Sequence, residues 1–184
     1  MSPDVHRLFV FDRNDHVRGP DAAPVTVVVY GDFECPHTRA VELAMPHLRR
    51  RYGEQIRYVY RHFPMNEIHP HAQLAAEASE AVSALAGADA YWAMHDALFA
   101  DQLHLDEASL RKRSDAIGVD PAAFATALAE RRFTARVERD VRSARANGVG
   151  GTPAVFINGD RYRGPRNVPE LVKAIAGAGP AEPG

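Results

Sequence analysis

The chain has 184 residues, 46% of them hydrophobic and 25% charged, with a formal net charge of −2. Those values suit one large domain with a real core, or a smaller domain carrying an insertion. They give no general drive toward nucleic acid or anionic membrane, and the lone cysteine excludes an internal disulfide framework.

No stretch approaches a membrane span, so membrane insertion is not expected. Residues 1–7 contain no apolar run of the signal-peptide kind, and the single thiol suits a reducing compartment, so the cytoplasm is the expected location. Leu8 to Phe11 is a short apolar run and a candidate edge strand. Residues 12–24 are polar and turn-rich, punctuated by Gly19-Pro20 and Pro24.

Val25 to Tyr30 is a β-branched and aromatic run that predicts a buried strand, broken at Gly31 and Asp32. A helix is predicted from Pro36 to Tyr52, with Val41, Ala44, Leu48 and Tyr52 at helical spacing. Pro46 is expected to kink it and Gly53 to end it. Gln55 to Phe63 alternates as a second strand, stopped by Pro64, so a right-handed βαβ unit is the economical topology.

From His69 to Asn147 the pattern is helical throughout. Leu74, Ala78, Val82 and Leu85 form one stripe, Trp92, His95 and Phe99 another, and Leu110, Ser114 and Ile117 a third. Asp120-Pro121 is a strong helix start, Phe124 and Leu128 face inward after it, and Val137, Val141 and Ala144 mark the last helix of the block. Such a block packs on the sheet or stands as an inserted lobe. Beyond the flexible Gly148 to Gly151, residues 154–159 predict a short buried strand and turn. Arg161 to Arg163 are its hairpin partner across Asn158-Gly159-Asp160. Val168 to Ala176 predicts a final helix, and residues 180–184 a frayed tail.

Cys35 falls where the first strand hands over to a helix. Unpaired backbone N–H groups and the positive end of a helix dipole favour a thiolate there, and Pro36 suits the first helical turn. His37 would add positive charge nearby. The competing interpretation is a cysteine packed inward as a small hydrophobe. His62, His69, His71 and His95 lack cysteine partners and compact ligand spacing, so no metal site is expected. His69 and His71, on either side of Pro70, are candidate helix caps, and His95 a core hydrogen-bonder. The arginines at 49–51 and 131–132 suit helix C-termini without nucleic acid.

Taken together, Val-Val-Val-Tyr-Gly-Asp-Phe-Glu-Cys-Pro-His at 27–37, Arg-Tyr-Val-Tyr-Arg-His-Phe-Pro at 57–64, His-Pro-His-Ala at 69–72, Trp-Ala-Met-His-Asp-Ala-Leu-Phe at 92–99 and Gly-Val-Gly-Gly-Thr-Pro-Ala-Val-Phe-Ile-Asn-Gly at 148–159 resemble the DsbA-like branch of the thioredoxin-fold family. That branch includes stand-alone cytoplasmic proteins and the thioredoxin-like domain fused to some sodium/proton antiporters. The resemblance implies an α/β thioredoxin fold with an inserted all-helical lobe. The core would take residues 8–66 and 148–178, and the lobe residues 67–147. It also implies that Cys35 is the attacking thiol and that Thr152-Pro153, following Gly151, is a cis-proline pair that binds substrate beside it.

The family motif is Cys-x-x-Cys, whereas residues 35–38 are Cys35-Pro36-His37-Thr38. Positions i and i+3 share a helix face, so Thr38 puts a hydroxyl where the second sulfur would stand. It can hydrogen-bond a thiolate but cannot resolve a mixed disulfide. The leading expectation is therefore a monothiol thiol–disulfide oxidoreductase acting on protein or small-molecule thiols and disulfides. It would hold no tight cofactor and use a glutathione-type thiol as co-substrate, with Cys35, Pro36, His37 and Thr38 at the reacting centre. The alternatives are a redox-inactive module that binds a peptide or partner, and a glutathione-transferase- or isomerase-like enzyme.

Overall fold

The computed structural model describes residue 11 and residues 13–179. The chain divides into two compact units. One comprises the described residues up to Gly31 together with His37–Arg61 and residues 153–179; the other comprises Asp32–Pro36 and His62–Thr152.

The first unit is built on a five-stranded sheet. Its strands are β1 (His16–Arg18), β2 (Val25–Gly31), β3 (Ile56–His62), β4 (Ala154–Ile157) and β5 (Asp160–Tyr162), in the order β1-β3-β2-β4-β5. Helix α1 (Pro36–Tyr52) links the neighbouring strands β2 and β3. Its Val41, Ala44, Met45 and Leu48 are buried, its three closing arginines occupy the last turn, and Pro46 lies in its interior. β4 lies antiparallel to β2, with Val28 opposite Phe156 and Tyr30 opposite Ala154.

The hairpin from β4 to β5 turns through Asn158 (φ 49°) and Gly159 (φ 91°). That pair of left-handed residues matches strand twist in a two-residue turn. The Asn158 side chain then ties the turn down, accepting from Thr26 N at 2.8 Å and donating to Ala178 O at 3.0 Å. Ala178 closes the last helix, which runs Val168–Ala178.

An edge strand was expected at Leu8 to Phe11; residues 8–10 lie outside the described residues, and Phe11 is in no strand. Among the described residues one edge of the sheet is β1, inside the segment read as turn, because Val17 pairs with Val59 of β3. Arg61 of β3 donates to both carboxylate oxygens of Asp15, at 2.8 and 2.9 Å, and to Tyr30 Oη at 3.2 Å. Burial alone would lower the Arg61 pKa, but these partners hold it above its ordinary value.

The second unit contains five consecutive helices: α2 (Ala72–Ala86), α3 (Ala88–Ala100), α4 (Glu107–Ile117), α5 (Pro121–Ala129) and α6 (Thr134–Ala146). The helix starts follow their sequence signals. Asp106 accepts from Ser109 N at 3.0 Å and Asp120 from Ala123 N at 2.7 Å, with Pro121 in the first turn. Gly118, at φ 91°, closes α4 in the left-handed conformation that glycine tolerates best.

α2 is buried along most of its length, including the charged Glu77 and Glu80. Glu77 meets Arg131 Nε at 2.7 Å and Thr134 Oγ1 at 2.9 Å. Glu80 meets His62 Nε2 at 2.8 Å. Leu85, expected on the inward stripe, is 41% exposed because it sits in the last turn, just before Gly87 ends the helix. Among the described residues no helix is long and apolar enough to cross a membrane.

Candidate functional site

Residues 32–35 leave the end of β2 and precede the first residue of α1, which makes Cys35 the residue before a helix N-terminus. Phe33 anchors this segment in the helical unit. Its ring stands 5.8 Å from His62, 5.6 Å from His95 and 5.0 Å from Phe99, centroid to centroid. A buried aromatic with that many ring neighbours fixes the backbone on both sides of it.

Asp32 organises the segment further. Its buried side chain accepts from Glu34 N at 2.8 Å through Oδ1 and from Met65 N at 2.9 Å through Oδ2. Oδ2 also meets His69 Nδ1 at 2.7 Å. The Asp32 carbonyl accepts from Cys35 N at 3.1 Å. Glu34 accepts from His71 N at 2.7 Å and lies 3.1 Å from His71 Nδ1. Gln102, just beyond α3, donates to the carbonyls of Phe33 at 2.7 Å and Cys35 at 3.1 Å. Every backbone polar group these bonds engage would otherwise need water.

The Cys35 sulfur is covered: the residue is 3% exposed. Its Sγ–H donates to the carbonyl of Thr152 at 3.7 Å. Thr152 Oγ1 in turn donates to Met65 Sδ at 3.4 Å. The Thr152 carbonyl, part of the pair expected to bind substrate, is thus met by the sulfur itself.

The other predicted site residues are distributed as follows. Pro36 and His37 are exposed, and His37 makes no hydrogen bond or ion pair among the described residues. Thr38 is fully buried. Gly151 and Thr152 are half-buried and Pro153 is buried. The structure therefore brings Cys35 and Thr152 together.

His69 and His71 differ from the expected caps, whereas His95 is the buried hydrogen-bonder expected. His71 occupies the N-cap position of α2 without a side-chain capping bond. His69 and His71 reach Asp32 and Glu34 instead, His62 reaches Glu80, and His95 reaches Asp96 at 2.9 Å. These four histidines are spread over four different carboxylates. Sequence reasoning missed Asp32, Glu34, Met65 and Gln102. One usable signal was present: acidic residues at alternate positions 32 and 34 match histidines at alternate positions 69 and 71.

Comparison with known proteins places the fold. A family profile described as thioredoxin matches residues 12–176. Over 164 residues, 89% of the chain, the sequence is 45% identical to a segment of the Na(+)/H(+) antiporter NhaA 3 of Salinispora tropica. The chain spans about a quarter of the length of the curated relatives it matches, 24% in that case. Among solved structures, oxidised BdbD from Bacillus subtilis superposes with a TM-score of 0.81 at 22% identity, covering 90% of this chain and 93% of that one. The thiol-disulfide exchange protein alpha-DsbA2 from Wolbachia pipientis superposes with a TM-score of 0.75 at 22% identity, covering 90% and 88%. The fold is the DsbA-like form of the thioredoxin fold, with a five-stranded sheet and a block of helices between its third and fourth strands. The chain belongs to the thioredoxin family.

Proposed function

We propose that the chain is a monothiol thiol–disulfide oxidoreductase acting through Cys35. The observation that carries this reading is the position of its only cysteine, immediately before a helix N-terminus and on a segment whose backbone is fixed by Asp32, Phe33 and Gln102. In the first step Cys35 gives up its proton to solvent. The thiolate attacks one sulfur of a disulfide R–S–S–R′, forming Cys35–S–S–R and expelling R′–S⁻. In the second step an external thiolate attacks the Cys35 mixed disulfide, forming a new disulfide with R and returning the Cys35 thiolate. Each step exchanges one sulfur–sulfur bond for another, so no further oxidant is consumed.

Thr38 replaces the sulfur that would resolve the intermediate within the chain, which makes the external thiol obligatory. A glutathione-type thiol suits that role, and the substrates are protein or small-molecule disulfides. His37 and Thr38 belong to the helix start that favours the thiolate, and Gly151, Thr152 and Pro153 to the segment that meets the substrate. A reducing compartment such as the cytoplasm suits a protein with a single thiol. The antiporter named among the relatives makes operation beside a membrane transporter part of the same proposal.

The test is incubation of the reduced chain with glutathione disulfide, followed by intact-mass analysis. One glutathione per chain is expected, absent in Cys35→Ser and removed by added dithiol. A native chain that takes up no adduct while staying folded would refute the exchange reading. The near-complete cover over Cys35, together with the exposed Ile68 (63%) and Leu103 (90%) of the same unit, favours a second reading as a module that binds an apolar peptide. Peptide retention by Cys35→Ser, with no adduct on the native chain, would select it.

A further inference from the structure

The bonds around residues 32–35 form a clasp whose pieces come from distant parts of the sequence. The Asp32 carboxylate is fully buried, and hydrogen bonds replace the water it has lost. Two of its partners, Met65 N and His69 Nδ1, come from the segment that leads into α2. Glu34 repeats the arrangement two residues on, gripping His71 through both its backbone N–H and its ring. Because Cys35 N donates to the Asp32 carbonyl, the orientation of the cysteine backbone follows the position of Asp32. Gln102 fixes the carbonyl at the other end of the same residue.

The imidazole of His69 is the adjustable member of this set. Its side chain is 16% exposed, whereas that of Asp32 is fully covered. Removing the ring takes away one of the donors to Oδ2 and leaves the Met65 N–H in place. The carboxylate then keeps the Glu34 and Met65 N–H bonds and loses the imidazole that holds it to residue 69.

We propose that Asp32 and His69 are positioning residues for Cys35: through the clasp they fix the line along which the sulfur meets a disulfide. This rests on the exchange reading of Cys35, and thiol–disulfide exchange is sensitive to alignment. The incoming sulfur must lie in line with the bond that breaks, and misplacing a reacting group by about 1 Å costs on the order of a hundredfold in rate. A loosened segment also uncovers the sulfur to small reagents that have no such directional demand. The clasp therefore makes opposite predictions for two reactions of one atom.

The experiment uses the full chain in three forms: native, His69→Ala and His69→Asn. Asparagine places an amide N–H near the position of Nδ1 and serves as the conservative replacement. Two rates are measured well below the thermal transition: alkylation of Cys35 by iodoacetamide across a pH range, and mixed-disulfide formation with glutathione disulfide.

For His69→Ala, exchange is expected to fall about tenfold to a hundredfold while alkylation rises severalfold. His69→Asn should return both toward native. If both rates stay native in folded His69→Ala, or if both rise together, the positioning role is overturned, because a merely structural contact would shift the melting temperature and nothing else, or simply open the site. If the native chain shows no exchange at all, the exchange reading fails by itself. The alkylation arm then still decides whether His69 holds Cys35: a rise in His69→Ala reversed in His69→Asn supports it, and no rise overturns it.

Discussion

Gly31 ends β2, immediately before the segment that carries Cys35, and it is the position where one methyl group has the most to disturb. A Cβ added there would lie 2.6 Å from Tyr60 Cε2, 2.7 Å from Tyr60 Oη and 2.8 Å from Thr38 Cγ2. Carbon atoms in good contact stand about 3.5–4.0 Å apart, so each neighbour would have to retreat by roughly 1 Å. Tyr60 and Thr38 are both fully buried, and neither has solvent to move into. Overpacking of this kind costs about 1–3 kcal/mol. The φ of Gly31 lies outside the left-handed region, so Gly31→Ala adds no backbone strain. The stiffer unfolded chain returns about 0.4–1 kcal/mol.

The net destabilisation expected for Gly31→Ala is therefore about 1–2 kcal/mol, the difference of those two ranges taken near their centres. For a chain of this length that corresponds to a fall in melting temperature of about 2–8 °C. Scanning calorimetry on the native chain and Gly31→Ala measures it. Thr38→Ser, which deletes Cγ2 and keeps the hydroxyl, supplies the control. In the double variant one of the three close contacts is gone, so its destabilisation should be smaller than the sum of the singles by about 0.5 kcal/mol or more. A Gly31→Ala variant that melts at or above the native temperature, or singles that add without coupling, would refute the steric account.

Two further predictions concern chemistry and pH. Thr38→Cys should convert the chain to a dithiol: thiol titration finds two groups after reduction and none after mild oxidation, and the glutathione adduct is released without an external thiol. Asp106 is held below the usual aspartate range, chiefly by the backbone N–H of Ser109 and then by the Ser109 hydroxyl. A carboxyl whose folded value is depressed contributes stability above its unfolded value, about pH 4, and loses it as the pH falls through the folded value. Asp106→Asn should therefore lower the melting temperature at neutral pH, with the gap to native closing toward the acid limit.

The elements that could be read from sequence are those whose signals are local. The β-branched run of β2, the Asp120-Pro121 start of α5 and the Asn158-Gly159 turn each carry their conformation within a few residues. β1 could not be found this way: His-Val-Arg has no pattern of its own and becomes a strand only by pairing with β3. Gly31 looked like a strand breaker and is the last strand residue, glycine because Tyr60 and Thr38 fill the space beside it. At the site, the strand-to-helix junction pointed to Cys35. Its supports did not show, since Asp32 and His69 are 37 residues apart and Gln102 and Cys35 are 67 apart. Local spacing does not by itself pair residues at that range; the match of Asp32 and Glu34 with His69 and His71 was the one trace, and the histidines beside Pro70 looked like helix caps.

The cover over Cys35 bears on how exchange would begin. At 3.7 Å the Sγ–H contact with the Thr152 carbonyl is at the weak end of hydrogen bonding, so little is lost when the sulfur moves away. Its departure would leave a half-buried carbonyl without its donor. An extended substrate brings backbone N–H groups, and one such bond is worth about 0.5–1.5 kcal/mol net, enough to replace the sulfur contact. On the proposed reaction, docking of a polypeptide disulfide therefore favours release of the sulfur, because an incoming N–H offers the Thr152 carbonyl a stronger donor. A small disulfide such as that of glutathione carries fewer N–H groups to offer in exchange. Polypeptide disulfides should consequently react faster with Cys35 than small ones of equal intrinsic reactivity, and that order follows from the Thr152 carbonyl without a specificity pocket.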